Sequence, residues 1–165
     1  MGTRALTIAK KDNQIKFAKY SQFDGYPTGL GEELLKAIKL IGLDRVKEII
    51  DRVKTPTQSE IDHINSFDQI VKCQKDGYTT DEPEWKVKFP WASRDCDGVE
   101  LLNHLNATED VLLVLYEEDF AANSLFCEWC YVIDFDTNTF EVFQGFNTTP
   151  LTSEDRFYYL ESKSK

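Results

Sequence analysis

Hydrophobic and polar residues alternate near both ends of this chain, and this pattern limits the folds that it can adopt. Residues 3–10 and 15–23 alternate with the period of a β-strand, and the turn-forming run Lys11–Gln14 between them predicts an opening hairpin. Three further strands are predicted toward the C terminus, at 111–116, 125–135 and 140–146. A tight turn at 136–139 joins the last two of them.

Between these strands, apolar residues recur at helical spacing and predict four helices. The second helix ends before Pro56, and two others begin with capping residues, Thr57 with Glu60 and Asp97 with Glu100. The apolar stripes are Leu34, Leu35, Ile38 and Ile41; Val46, Ile49, Ile50 and Val53; Ile61, Ile64 and Phe67; and Leu101, Leu102 and Leu105. The order predicts an α+β fold, in which the N-terminal hairpin and a C-terminal meander form a single, mostly antiparallel sheet with helices packed on it.

The length of 165 residues suits one hydrophobic core, so we expect residues 1–165 to form a single domain. The least regular part is the segment at about 73–95, where polar residues surround Gly77, Pro83 and Pro90. Because glycine and proline interrupt regular structure, we predict an irregular loop there.

The net charge of −10 is unevenly distributed: residues 1–54 carry +4 and residues 55–165 carry −14. A protein this acidic repels a phosphate backbone, which argues against general nucleic-acid binding. No apolar run approaches the roughly 18 residues that span a bilayer. We therefore expect a cytoplasmic protein with no membrane partner, in which the acidic part provides solubility or a surface for a basic partner.

Cys127 and Cys130 have the C-x-x-C spacing that is found in redox and zinc sites. They lie in a predicted strand, however, where residues three apart point to opposite faces of the sheet. No other cysteine or histidine is spaced as a second ligand pair. We therefore predict structural cysteines, no metal site and no cofactor.

Arg4 is the first candidate for a functional residue. It shares a strand face with Leu6 and Ile8, and a guanidinium on a face that forms the core needs a partner. The hairpin brings Gln22 and Asp24 opposite Arg4. Arg4 and Asp24 therefore form either a structural ion pair or part of a ligand-binding site.

The loop at 24–31 follows this hairpin and contains Tyr26, Gly29 and Gly31 just before a helix. Glycines at a helix N terminus let backbone amides approach an anion, although a simple turn and helix cap is the alternative. The spacing matches no nucleotide-binding motif. We group these three residues with Arg4, Gln22 and Asp24 as candidate ligand-binding residues.

Trp85, Trp91 and Arg94 lie in the segment predicted to be irregular. Aromatic and basic side chains together suit a partner-binding patch. A local hydrophobic cluster that holds down the loop is the alternative.

Two motifs carry a resemblance to a known family. They are Gly2-Thr3-Arg4 with Tyr20-Ser21-Gln22-Phe23-Asp24-Gly25-Tyr26-Pro27-Thr28-Gly29-Leu30-Gly31, and the less specific Cys127-Glu128-Trp129-Cys130-Tyr131-Val132-Ile133-Asp134-Phe135-Asp136 with Phe140-Glu141-Val142-Phe143. The chain resembles small proteins of phages, bacteria and some fungi that begin M-G-T-R and carry Y-x-Q-[WF]-D-G-Y-P-x-G-x-G. The resemblance covers about a quarter of the chain and implies no particular reaction.

The predicted layers are also similar to N-terminal-nucleophile hydrolases, in which the terminal amine activates a Cys, Ser or Thr side chain. Removal of Met1 would expose Gly2, which has no nucleophile, and would leave Thr3 one residue out of register.

Two functions follow as hypotheses. The first is a non-catalytic binding protein, a phage or mobile-element accessory factor that inhibits a host protein or sequesters a small anionic ligand in the host cytoplasm. The second is a small hydrolase of amide or ester bonds that uses Thr3 or a residue that the sequence does not identify.

Overall fold

The computed structural model describes residues 3–75, 77–93, 96–114, 128–144 and 157–159. The strands are β1 (Ala5–Lys11), β2 (Gln14–Ser21), β3 (Val53–Lys54), β4 (Ile70–Lys75), β5 (Tyr78–Pro83), β6 (Leu112–Leu113), β7 (Trp129–Asp134), β8 (Thr139–Gln144) and β9 (Phe157–Tyr159). The helices are α1 (Glu32–Ile41), α2 (Leu43–Ile49), α3 (Gln58–Asn65), α4 (Glu84–Lys88) and α5 (Gly98–Asn106).

The two ends of the chain build one five-stranded sheet with the order β2-β1-β7-β8-β9. Strands β1 and β7 run parallel, with Ala5 beside Trp129, and the other three pairings are antiparallel. The expected α+β class is therefore confirmed, with a main sheet that is mostly antiparallel. The single parallel pair arises because the helical middle returns the chain to the same end of the sheet before β7 begins.

The sequence predicted one sheet, and the structure adds two small two-stranded sheets to it. Strands β3 and β6 pair in parallel through Val53 and Leu112, and β4 pairs with β5 in an antiparallel hairpin. The strand predicted at 111–116 therefore begins with β6, which pairs with β3 and not with a strand of the main sheet. The helix predicted through Val53 ends at Ile49, and Val53 belongs to β3. Two-residue pairings of this kind depend on contacts between distant segments, which periodicity does not show.

The segment at 73–95 is not the irregular loop that we predicted. It contains most of the β4–β5 hairpin, then α4 and a 3₁₀ turn at Pro90–Ala92. Gly77 has φ of +83°, which is the backbone conformation that a tight turn requires, so this glycine joins two strands instead of interrupting structure. Thr79 and Thr80 supply the β-branched residues that favour β5.

The capping signals at the helix starts were read correctly. The Thr57 hydroxyl accepts a hydrogen bond from the Glu60 backbone N–H, and the Glu60 carboxylate accepts one from the Thr57 N–H. The Asp97 carboxylate accepts from the Glu100 N–H in the same way. Both helices therefore begin where a side chain satisfies an otherwise unpaired amide.

The helices pack on the face of the sheet that carries small residues of β1. Ala5 and Ala9 belong to the main core with Leu34 of α1 and Leu101 of α5, whereas Leu6 and Ile8 form a second cluster on the opposite face. Residues without large side chains let a helix approach a strand closely. No helix in the described part of the chain is long and apolar enough to cross a bilayer.

Candidate functional site

An open cavity of about 410 Å³ lies beside the loop that follows the first hairpin. This volume falls within the range of about 300–1,000 Å³ that is common for ligand sites. Its described lining residues are Gln22, Phe23, Asp24, Tyr26, Gly29, Leu30, Glu33, Asp97, Val99 and Glu100. The end of β2, the loop, α1 and the start of α5 thus meet at one place, which we call the acidic cavity.

The first part of the loop is fastened to the sheet through Gly25. Its N–H donates to the Thr3 carbonyl at 3.0 Å, and its carbonyl accepts from the Tyr131 hydroxyl at 2.6 Å. A Cβ atom at Gly25 would lie only 2.7 Å from the Cβ of Ala5. The loop therefore crosses the end of β1 at a distance that a larger residue would not permit.

The second part of the loop, Pro27–Gly31, forms a single π-helical turn that runs directly into α1. The Leu30 N–H donates to the Asp24 carbonyl at 2.9 Å, and Asp24 itself has φ of +54°. A Cβ at Gly29 would lie 2.6 Å from that same carbonyl oxygen, and one at Gly31 would lie 3.0 Å from the Tyr131 ring. Close packing thus accounts for both glycines, and only Gly29 lines the acidic cavity.

Four carboxylates line the acidic cavity, those of Asp24, Glu33, Asp97 and Glu100, and none of its described lining residues is lysine, arginine or histidine. Asp97 is half-buried as the cap of α5, and Glu33 lies 3.6 Å from Lys36 in an exposed pair. Like charges around one cavity produce a negative potential. The cavity therefore repels the small anionic ligand that the glycines suggested.

Two aromatic side chains stand at the mouth of the acidic cavity. Phe23 is 56% exposed and Tyr26 is 40% exposed, and the Tyr26 hydroxyl lies 3.5 Å from the Asp24 carboxylate. Exposed aromatic groups on a fixed loop present apolar area that a partner can cover.

Of the six residues grouped as a ligand site, four line the acidic cavity: Gln22, Asp24, Tyr26 and Gly29. Arg4 is not among the lining residues, although its backbone N–H donates to the Glu128 carboxylate at 3.0 Å. Strand alternation places Arg4 on the face of Leu6 and Ile8, whereas α1 and α5 cover the other face. The prediction rested on Leu6 and Ile8 facing the core, whereas the main core lies on the face of Ala5 and Ala9.

The two tryptophans of the predicted partner patch, Trp85 and Trp91, do not line the acidic cavity. Trp91 packs edge-on against the rings of Phe89 and His104, at centroid distances of 6.1 Å and 5.7 Å. Burial lowers the pKa of His104, as expected for an imidazole within such a cluster. Trp85 lines a separate apolar cavity of about 170 Å³ with Ile61 and Ile64. Arg94 lies outside the described residues.

The described candidate nucleophiles are half-buried or buried. Thr3 is half-buried, and its carbonyl accepts the Gly25 N–H. Cys130 is buried on β7, while Cys127 lies outside the described residues. Burial raises the pKa of the Cys96 thiol to about 12, so that this thiol stays protonated at neutral pH. Within the described part of the chain, no group of three or more histidine, cysteine or carboxylate side chains is placed to hold a metal ion.

Sequence reasoning missed six of the described lining residues, which are Phe23, Leu30, Glu33, Asp97, Val99 and Glu100. The residues at the start of α5 are more than 60 positions away from the loop at 24–31, so only the tertiary structure brings them to it. Phe23 carried a usable signal, since it is an aromatic residue between the polar residues Gln22 and Asp24.

Comparison with known proteins identifies no match: no family model, curated protein or solved structure is similar to this chain.

Proposed function

We propose that this chain is a non-catalytic binding protein that inhibits a host protein, and that the acidic cavity and its aromatic mouth form the binding surface. The M-G-T-R start and the loop motif, which resemble those of small phage, bacterial and fungal proteins, support this proposal. An accessory factor of this kind acts by covering a surface of its target, which requires recognition and no chemical step.

One observation carries this proposal: Phe23 and Tyr26 are exposed where hydrogen bonds attach the loop at 24–31 to the sheet, beside an open acidic cavity. Hydrogen bonds from Gly25 to Thr3 and from Tyr131 to Gly25 fasten the loop to the sheet. A preorganised loop loses little conformational entropy on binding, and aromatic residues are enriched where protein interfaces gain most of their free energy.

Two other functions have less support. Sequestration of a small anion conflicts with the four carboxylates that line the cavity. A hydrolase that uses Thr3 needs a free α-amine at that residue, and in this sequence the Thr3 nitrogen is part of the peptide bond with Gly2.

The experiment is a comparison of variants in a quantitative capture assay. The tagged full-length protein, a Phe23→Ser/Tyr26→Ala double variant and a Tyr78→Ala control would each be incubated with a lysate of the organism that carries the gene. Tyr78 is 74% exposed on β5 and does not line the acidic cavity, so it is a matched exposed aromatic residue. We expect a specific partner to be captured by the native protein and the control, and to be lost from the double variant.

Two outcomes would contradict the proposal. One is capture that the double variant leaves unchanged, which would place the binding surface elsewhere. The other is turnover of an amide or ester panel that Thr3→Ala abolishes, which would make the protein a hydrolase.

A further inference from the structure

We propose that the cavity beside Trp85 binds a small, neutral aromatic molecule that carries one hydroxyl or N–H group. This cavity has a volume of about 170 Å³, and we call it the apolar cavity. Its described lining includes Ile61, Ile64, Asn65, Trp85, Ala92 and Leu113. None of these residues lines the acidic cavity, so the inference goes beyond the proposed function and does not depend on it.

The size of the apolar cavity suits a single ring system. In another protein, an engineered cavity of about 150 Å³ with aliphatic and aromatic walls stays free of water and binds benzene. The apolar cavity is of similar size and is smaller than the roughly 300–1,000 Å³ of sites for larger ligands. A molecule of the size of phenol or indole would therefore fill it and make the dispersion contacts that empty space lacks.

The walls of the apolar cavity favour a neutral aromatic molecule over an ion. None of the described lining residues has a charged side chain, and Ile61, Ile64 and Leu113 supply aliphatic surface. An ion that leaves water for such surroundings loses its hydration without gaining a counter-ion. The indole of Trp85 adds an aromatic group, and aromatic pairs gain free energy beyond the area that they bury.

Asn65 supplies a polar group to this mostly apolar lining. It is the exposed last residue of α3 and follows the buried Ile64. Small-molecule sites combine apolar walls with a few polar groups that fix the orientation of the ligand. The amide carbonyl of Asn65 can accept a hydrogen bond from a hydroxyl or N–H group, which a plain hydrocarbon cannot donate.

Contacts between separate segments hold the walls of the apolar cavity in place. The Trp85 backbone N–H donates to the Phe67 carbonyl at 2.9 Å and so attaches α4 to the segment that follows α3. Leu113 pairs with Lys54 in the β3–β6 sheet, and the Val114 N–H donates to the Lys54 carbonyl at 2.9 Å. A cavity whose walls are already in place requires little reorganisation when a ligand binds.

The test titrates the isotope-labelled full-length protein with phenol, toluene and benzoate, and follows NMR chemical-shift changes at Ile61, Trp85 and Ala92. Toluene has nearly the shape of phenol without the hydroxyl, and benzoate carries a negative charge. We expect saturable shift changes with phenol and toluene, with Kd values of about 1 mM or below. Benzoate should produce none at these residues.

Two variants identify the contacts. Asn65→Ala should weaken binding of phenol by about threefold to tenfold and leave binding of toluene unchanged, because only phenol donates a hydrogen bond. Ala92→Leu places a larger side chain against the cavity and should abolish binding of both molecules. Asn103→Ala changes an exposed asparagine of α5 outside the described lining, and this control should alter neither affinity.

Several results would overturn the inference. Absence of saturable shift changes with phenol would show that the cavity does not bind this class of molecule, and binding of benzoate at the same residues would contradict the preference for a neutral ligand. An equal effect of Asn65→Ala on phenol and toluene would remove the role of the amide. Retained binding in a folded Ala92→Leu variant would place the ligand elsewhere. If Ala92→Leu does not fold, Asn65→Ala still decides, because Asn65 is exposed.

Discussion

Gly25 occupies a space in which a methyl group has no room. A Cβ there would lie 2.7 Å from both the Ala5 Cβ and the Thr3 carbonyl oxygen, and both neighbours belong to or adjoin β1. The D-G-Y-P-x-G-x-G pattern is therefore a packing requirement, in which glycines let a loop lie against a strand end and against Tyr131.

This geometry makes Gly25→Ala destabilising. We expect a loss of about 1–3 kcal/mol in the free energy of unfolding, because the strand end must shift to accept the methyl group. Urea denaturation followed by fluorescence measures the change. Thr28→Ala, at an exposed position of the same loop, is the control, and equal midpoints for the two variants would show that the loop adapts freely.

At the scale of elements, Asp136 links the two hairpin turns of the main sheet. Its carboxylate accepts the backbone N–H groups of Asp12 and Asn13, at 2.9 Å and 3.0 Å. Asp12 and Asn13 have φ of +56° and +57°, the conformation of a tight hairpin turn. Hydrogen bonds from Asn13 and then Asp12 hold the pKa of Asp136 below its usual value of 3.8.

The lowered pKa predicts a dependence of stability on pH. A carboxyl group whose folded-state pKa is depressed stabilises the fold fully above its unfolded pKa, and the contribution disappears as the pH falls through the folded-state value. Asp136→Asn should therefore lower the melting temperature at neutral pH, and the difference from the native protein should shrink below pH 3.8. Thermal scans at several pH values measure it, with Asp68→Asn as the control. A difference that stays constant into acid would show that the charge of Asp136 has no part in the link.

The β4–β5 hairpin shows where element-level reasoning failed. Gly77, Pro83 and Pro90 were read as interruptions, yet Gly77 forms the turn and Pro83 ends the strand that precedes α4. The same residue types end strands, join strands and interrupt them, and only the pairing of Val71 with Glu82 and its neighbours distinguishes these cases.

At the scale of the whole molecule, the charge of −10 acts on stability as well as on recognition. Repulsion among the excess carboxylates favours expansion of the chain, and salt screens it. Raising sodium chloride from about 10 mM to about 150 mM shortens the Debye length from about 30 Å to about 8 Å.

We therefore expect the melting temperature at pH 7 to rise with salt over this range. Near the isoelectric point of about 4.7 the net charge vanishes, and the same addition of salt should have little effect. A melting temperature that falls with salt at pH 7 would mean that attractive pairs, such as Lys11 and Lys16 with Asp51, outweigh the repulsion.

The charge of the side chains that line the acidic cavity is opposite in sign to the net charge of the chain segment that contains the loop. Residues 1–54 have a net charge of +4, so an anion site seemed compatible with the glycine-rich loop. In the fold, the basic side chains of that segment do not line the cavity, while Asp97 and Glu100 from the acidic part do. Local charge depends on which side chains meet in space, not on the sum over a stretch of chain.

The sequence by itself determined the element types at both ends of the chain, the two helix caps and the glycine positions of the loop. These depend on periodicity, capping and backbone freedom, which act between near neighbours in the chain. Only the tertiary structure decided which face of β1 meets the helices, how β7 joins β1 in parallel and which carboxylates surround the cavity. These depend on contacts between segments far apart in sequence, where burial and packing over the whole fold set the geometry and local pattern carries no record of the partner.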